Sequence, residues 1–384
     1  MFPYLVTFIL SLLFFEIGIR RLDDDQEIVP TSYLWIGLSM ILPVILAAVR
    51  SENIGVDVTV YVIPTFDEVI DSENLFDAFD SLEIEFLYIL LAYVAKYIST
   101  DLWSMLMLTE LCIVVPFWIA FVKLRDKLNP TFALFLFYCV LYNHTLNMMR
   151  QSIALAFIFL AVAYMLENKK GWMIFWLCIA FGFHKSALLG MALPILYYFS
   201  NYYPLNQNIS LYLGVFLGLV FIASSFATFI VALIDNGILD IKYLIYTEAG
   251  VFEARVSKSS LIIVIIELLL LTMTIINYGD EFLDLNFYFL CGIITVLFCL
   301  TGFVVVYLAR ISWFFHIINF LSMAYIFSNP YIYGDLKYMK WAFVILLCFY
   351  WWFAFVHSGE SGTVPYEFQY QLNESDYQYN SPSV

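Results

Sequence analysis

The sequence predicts an all-α fold, a polytopic integral membrane protein with about 12 transmembrane helices, a re-entrant or interfacial helix and an outward-facing cavity. Composition is the first observation behind this. Hydrophobic residues make up 63% of the chain and charged residues 13%, with a mean hydropathy of +0.87, more apolar surface than a soluble domain can bury. Pattern is the second. The apolar stretches are continuous rather than alternating, which selects helices over a β-barrel.

In order, the apolar runs cover approximately residues 2–19, 33–49, 84–98, 102–121, 131–147, 151–166, 171–183, 185–200, 209–234, 259–277, 285–308, 311–328 and 340–357. Run 2–19 has neither a basic leading segment nor a small-residue cleavage site, so it reads as a retained span. Runs 171–183 and 185–200 abut at Gly182-Phe183-His184, which predicts a tight turn there. Residues 1–358 form one transmembrane domain in this reading, with external loops at about 50–83 and 235–258, and 359–384 form a polar tail.

Lys123-Leu124-Arg125-Asp126-Lys127, Lys169-Lys170 and the stretch Lys337 to Lys340 are the basic short loops, so the positive-inside rule puts them on the cytoplasmic side. Arg20-Arg21 belong on that side too, which makes segment 50–83 external. Run 84–98 then cannot cross the membrane without breaking the alternation, and it is assigned to the re-entrant or interfacial helix.

The net charge of −15 argues against a nucleic-acid partner. Six cysteines lie in apolar runs without a CxxC, and four histidines show no HExxH, so neither disulfides nor a metal site nor a cofactor is expected. Aromatic content of 20% suits interface belts and also sugar-stacking surfaces.

Arg150 and His184 stand 34 positions apart. A helix of about 24 Å, the turn Glu167-Asn168-Lys169-Lys170 and a return of about 20 Å put both near one membrane face. Ionisable groups at such depth are expensive and point to function. Other polar groups assigned to the same outward face are Arg50, Asp57, Tyr61, Glu85, Tyr88, Tyr243, Tyr246, Arg255 and Arg310. Arginines from separate helices would form a clamp whose guanidinium forks match a phosphate or diphosphate. A base beside them would serve displacement of an anionic leaving group, with Glu85, Asp57 and His184 as the available bases. His184 equally suits a phosphate contact, and Arg50 and Arg310 equally suit interface anchors.

Six short motifs in order carry a resemblance. They are Arg50 with Gly55-Val56-Asp57 and Tyr61; Glu85-Phe86-Leu87-Tyr88-Ile89-Leu90; Arg150-Gln151-Ser152-Ile153-Ala154; Phe183-His184-Lys185-Ser186-Ala187; Ala309-Arg310-Ile311; and Pro365-Tyr366-Glu367-Phe368. In these the chain resembles the EpsG-like branch of the Wzy polysaccharide polymerases. One departure is Val58, which stands where the family usually has Thr after the Asp.

The resemblance implies a membrane glycosyltransferase of the bacterial cytoplasmic membrane with its site on the outer face. It would join undecaprenyl-diphosphate-linked repeat units, with a chain-length-regulating co-polymerase as a further partner. Arg150, Arg310, Arg50 and Arg255 would then hold the diphosphate. Tyr61, Tyr88, Tyr243 and Tyr246 would meet sugar, and no metal or cofactor is needed where arginines supply the electrostatics. Single displacement with inversion is the expected course. A flippase for lipid-linked sugars and an acyltransferase on envelope glycans are the rival classes, but the inverted repeats favoured by the first are not visible.

Overall fold

The computed structural model describes residues 1–23, 29–205, 208, 210–215, 217–218, 220–221, 225, 228, 258–278, 282, 284–302 and 306–369. Among the described residues every regular element is helical, and the one β feature is an isolated bridge between Arg50 and Phe368. Seven of these helices are long and apolar enough to cross a membrane: Phe2–Leu22, Pro30–Ala48, Leu102–Lys123, Met149–Leu166, Ser259–Tyr278, Asp284–Thr301 and Leu336–His357. The chain is therefore a multi-pass membrane protein. Several apolar runs give shorter helices. Run 131–147 breaks at a π-helical turn, Phe137–Leu141, and run 185–200 begins as a 3-10 turn, Lys185–Met191.

The chain divides into two compact units, Met1–Ala187 together with the chain from Ile345 on, and Leu188–Val344.

In the first unit α1 (Phe2–Asp23) and α2 (Val29–Ala48) form a hairpin. Two of its buried hydroxyls, Ser11 and Ser39, bond to neighbouring groups. Ser11 Oγ donates to the Ser39 carbonyl at 2.7 Å, Trp118 Nε1 donates to Ser39 Oγ at 2.8 Å, and the Tyr138 hydroxyl donates to Ser11 Oγ at 2.6 Å. In an apolar surround such bonds tie helices together where the hydrophobic effect cannot. The polar segment after α2 is itself helical in α3 (Ile63–Asp71) and α4 (Leu75–Ser81), the latter N-capped by Asn74, whose side chain accepts from the Phe76 and Asp77 amides. Then come α5 (Phe86–Ile98), α6 (Leu102–Lys123), α7 (Pro130–Leu136), α8 (Tyr142–Thr145), α9 (Met149–Leu166) and α10 (Lys170–Phe183).

α9 is buried almost all round and forms the core of this unit, with Ala154, Ala156, Ala161 and Ala163 letting its neighbours approach closely. α6 lies against it in parallel, since Phe117 packs on Phe159 with ring centroids 4.8 Å apart and Lys123 pairs with Glu167 at 2.7 Å. The basic turns 123–127 and 167–170 thus share one end of the unit. Arg150, in the first turn of α9, marks the other end, as does the start of α6. α5 has 13 residues, about 20 Å against a hydrocarbon thickness of about 30 Å. It begins beside Arg150 and leads into α6 after three residues, so both its ends lie toward the Arg150 end.

The second unit contains α11 (Ala192–Tyr202), α12 (Lys258–Tyr278), α13 (Asp284–Thr301) and α14 (Val306–Ile326), and α15 (Pro330–Trp351) begins in it. α14 is its central helix, buried on nearly every face from Ile311 to Ala324. α12 buries a single stripe of Ile263, Val264, Glu267, Leu270, Leu271 and Thr274, the three-to-four-residue spacing of one helix face.

Candidate functional site

Glu85 occupies the N-cap position of α5 in extended conformation, yet its side chain does not cap the helix. It turns instead toward the ends of two other helices. Arg150 Nη1 donates to Glu85 Oε2 at 2.8 Å. His184 Nδ1 lies 3.1 Å from Glu85 Oε1, and the Lys185 backbone N–H donates to that same oxygen at 3.1 Å.

Local structure explains why the three meet. His184 ends α10 in extended conformation, where its amide still bonds the Ala180 carbonyl while its ring is released from the helix surface. Gly182, two residues before His184, permits close contact with α5, because a Cβ there would lie 2.6 Å from Leu87 Cδ1. Arg150 is fixed at the first turn of the core helix. The hairpin α9–α10 thereby returns His184 to the height of Arg150, and α5 inserts a carboxylate between them.

Exposure divides the roles. Glu85 is 9% exposed, whereas the side chains of Arg150 and His184 are 23% and 21% exposed. The carboxylate is the inner partner, and the two nitrogen groups face outward from it. Burial by itself would raise the Glu85 carboxyl. The hydrogen bond to His184, the Arg150 charge and the Lys185 amide outweigh it and lower the group to about 2. Glu85 is therefore ionised throughout the neutral range with both oxygens hydrogen-bonded, which suits holding two partners and makes it a weak proton acceptor.

The Arg150 guanidinium carbon lies 5.5 Å from the Tyr61 ring centroid and 5.9 Å from that of Tyr88. Tyr88 is buried and Tyr61 is 44% exposed, so the guanidinium is held by an inner ring and flanked by an outer one. Asp57 is half-buried at the end of the same polar loop, and its amide donates to Asn147 Oδ1 at 3.2 Å, three residues before Arg150. Gly55 makes that docking possible. It adopts φ +90°, and a Cβ on it would collide with the Leu146 carbonyl.

Arg50 stands behind this assembly. It is 1% exposed, and its Nη2 donates to the Leu146 carbonyl at 3.1 Å and approaches Met149 Sδ at 3.4 Å. Burial pulls its guanidinium below the ordinary arginine range, opposed by the charge of buried Glu110. It braces the turn before Arg150.

A second brace comes from the far end of the chain. Residues 359–369, expected as the start of a polar tail, lie across loop 49–57. The Ser51 amide donates to the Glu367 carbonyl at 2.9 Å, the Gln369 amide to the Val49 carbonyl at 3.1 Å and the Gly55 amide to the Gly362 carbonyl at 3.2 Å. The Tyr366 hydroxyl donates to the Leu46 carbonyl at 2.6 Å, and the Tyr4 hydroxyl to the Thr363 carbonyl at 2.7 Å. Asn143 links the strap to the helices, donating to Thr363 Oγ1 at 2.9 Å and accepting from Trp351 Nε1 at 2.8 Å. Ser361 Oγ lies 2.8 Å from His144 Nδ1.

Asp57, Tyr61, Glu85, Tyr88, Arg150 and His184 thus share one end of the first unit. Arg310 lies half-buried near the start of α14, within the second unit. Arg255, Tyr243 and Tyr246 lie outside the described residues. The sequence alone assigned no role to Asn147 and Asn143, which position the loop and the strap, or to Glu267 and His316, titratable residues inside apolar helices. Glu267 alone carried a signal, as the one acidic residue in the run 259–277. Among the described residues no group of three or more His, Cys, Asp and Glu side chains could hold a metal.

The sequence model of the EpsG family matches residues 33–368. The match takes in every motif named above and closes at Phe368, the residue that bridges Arg50. No curated protein and no solved structure matches the chain.

Proposed function

The chain belongs to the EpsG family, a family of Wzy-like polysaccharide polymerases, and from that premise we propose that it joins undecaprenyl-diphosphate-linked oligosaccharide repeat units at the outer face of the bacterial cytoplasmic membrane. The observation that carries the proposal is the convergence of Arg150 and His184, side chains 23% and 21% exposed, on one ionised carboxylate. Orientation is supported by the basic turns 123–127 and 167–170, which lie at the opposite end of the unit from Arg150. α5 is then the re-entrant or interfacial helix, carrying Glu85 to the floor of the site.

In this mechanism the hydroxyl of the acceptor unit attacks the anomeric carbon of the donor glycan, and the lipid diphosphate leaves. Arg150 meets the diphosphate oxygens as their charge grows, the term that usually contributes most to such a step. Tyr61 and Tyr88 keep its fork from turning away. His184 takes the acceptor proton on Nε2. A hydrogen bond from Nδ1 to Glu85 leaves the lone pair on Nε2, the arrangement of a carboxylate-oriented histidine base. Glu85 positions both groups and stays ionised. Asp57, on the loop edge beside Tyr61, contacts the acceptor sugar, and exposed Lys185 adds a cation beside His184. Arg50 supports the turn that carries Arg150. Attack in one step inverts the anomeric centre.

The test uses Arg150→Ala and His184→Ala in a strain lacking its own polymerase. Loss of long polymer with single lipid-linked units retained at the outer face is the expected result. Accumulation of units at the inner face would overturn the proposal in favour of a flippase. Normal polymer lacking an acyl substituent would overturn it in favour of an acyltransferase.

A further inference from the structure

The second unit buries a carboxylate in the middle of an apolar helix. Glu267 is 1% exposed at the centre of the buried stripe of α12, and its partners come from α14: His316, 2% exposed, and Asn319, 1% exposed. Glu267 Oε2 lies 3.0 Å from His316 Nε2 and accepts from Asn319 Nδ2 at 2.8 Å. The cluster is closed on its other sides. Trp313 and Phe320 flank the imidazole with centroids 5.0 and 5.8 Å away. Gly292 of α13 presents no side chain toward the amide, and a Cβ there would lie 3.9 Å from Asn319 Oδ1.

Two acceptors in this cluster have no donor, Glu267 Oε1 and Asn319 Oδ1. They belong to the same two groups that share the 2.8 Å hydrogen bond. An orphaned buried acceptor is costly, and one on a carboxylate inside a membrane span more so. Both planar groups offer an oxygen, and every other polar atom of the pair is already bonded, so a single positive species between Oε1 and Oδ1 satisfies both. Burial at 1–2% excludes a sugar, a lipid headgroup or any other polyatomic ligand. One unit of charge also suffices to neutralise the carboxylate, which disfavours a divalent ion.

We propose that Glu267 and Asn319, backed by His316, form a monovalent-cation site in the second unit, occupied by a proton or by Na⁺. As a proton site it is an acid–amide pair, with Oε1–H donating to Oδ1 while Nδ2–H donates to Oε2. As a sodium site the two oxygens are ligands of the ion. In either case His316 donates through Nε2.

Purified full-length protein in nanodiscs tests this with two measurements and two variants. Glu267→Gln reproduces the cation-bound state without a cation, because its amide donates to Asn319 Oδ1 and its carbonyl accepts from Asn319 and His316. It should unfold at the wild-type temperature, whereas Glu267→Ala should unfold well below it. In the wild type, an infrared carboxylic-acid carbonyl band that Glu267→Gln removes identifies the proton. A rise in unfolding temperature in NaCl over choline chloride, absent in Glu267→Gln, identifies Na⁺. The proposal is overturned if neither signature is found. It is equally overturned if Glu267→Gln is as unstable as Glu267→Ala, since that outcome belongs to an ion pair in which a protonated His316 has lost its countercharge. Because the readouts are structural, failure here leaves the polymerase assignment untouched, and the reverse also holds.

Discussion

Replacing Glu85 by glutamine removes the charge around which the site is built and keeps its shape. The carboxyl falls from its ordinary 4.5 to about 2 in the folded protein. At about 1.4 kcal/mol per tenfold change, that difference is worth roughly 3 kcal/mol. Because the folded value is depressed, this stability is fully present above pH 4.5 and is lost as pH falls from there toward 2. Glu85→Gln should therefore be less stable than the wild type by about 3 kcal/mol at pH 7, and the gap should close in acid. Thermal unfolding of both proteins in nanodiscs, followed from pH 7 to pH 3, reads the difference directly and cancels the contributions of the other acids. A double-mutant cycle with Arg150→Gln should give a coupling of about 1–3 kcal/mol, as for a charge-assisted pair in a mostly buried setting. Two results would refute the reasoning: a Glu85→Gln protein as stable as the wild type at pH 7, or additive losses in the cycle. A variant that kept full stability and lost all turnover would instead make Glu85 the base.

Other expectations follow from the same geometry. Gly55→Ala should cost at least about 2 kcal/mol, because φ of +90° is strained for alanine and the methyl meets the Leu146 carbonyl; unfolding temperature and the yield of folded protein measure it. Thr363→Val keeps the shape of the strap but leaves Asn143 Nδ2 without its acceptor at a fully buried position, a loss of about 1–3 kcal/mol readable by the same assay. Polymerisation by purified protein should survive EDTA, since arginine is proposed to stabilise the leaving diphosphate; loss of activity in EDTA with recovery in Mg²⁺ would contradict this.

The Arg150–His184 pair was legible because its signal is local. Hydrophobic periodicity, a polar turn at 167–170 and a rise of about 1.5 Å per residue return the second residue to the height of the first. The shortness of run 84–98 was likewise visible in the sequence, and its helix is 13 residues long. Arg50 shows the limit of such reasoning. In sequence it looks like the other arginines of the outward face, yet in the fold it is 1% exposed and its Nη2 bonds the turn before Arg150. The motif Pro365-Tyr366-Glu367-Phe368 could be noticed but not interpreted, because its partners lie more than 300 residues earlier, at Leu46, Arg50 and Ser51.

Helix, membrane class and the height of charged residues along their helices are properties of short stretches, driven by burial of apolar side chains and by hydrogen bonds within a segment. Those were readable from the residues alone. Which charge meets which depended on packing. Glu85 reaches Arg150 across 65 residues and His184 across 99, because Gly182 admits α5 against α10 and Gly55 admits the loop against Leu146. Buried Glu267 found His316 across 49 residues by the same means. A side chain can be costly in sequence at a known depth, but the partner that makes it bearable is chosen only when helices pack, since a hydrogen bond depends on distances of about 3 Å that no spacing along the chain encodes.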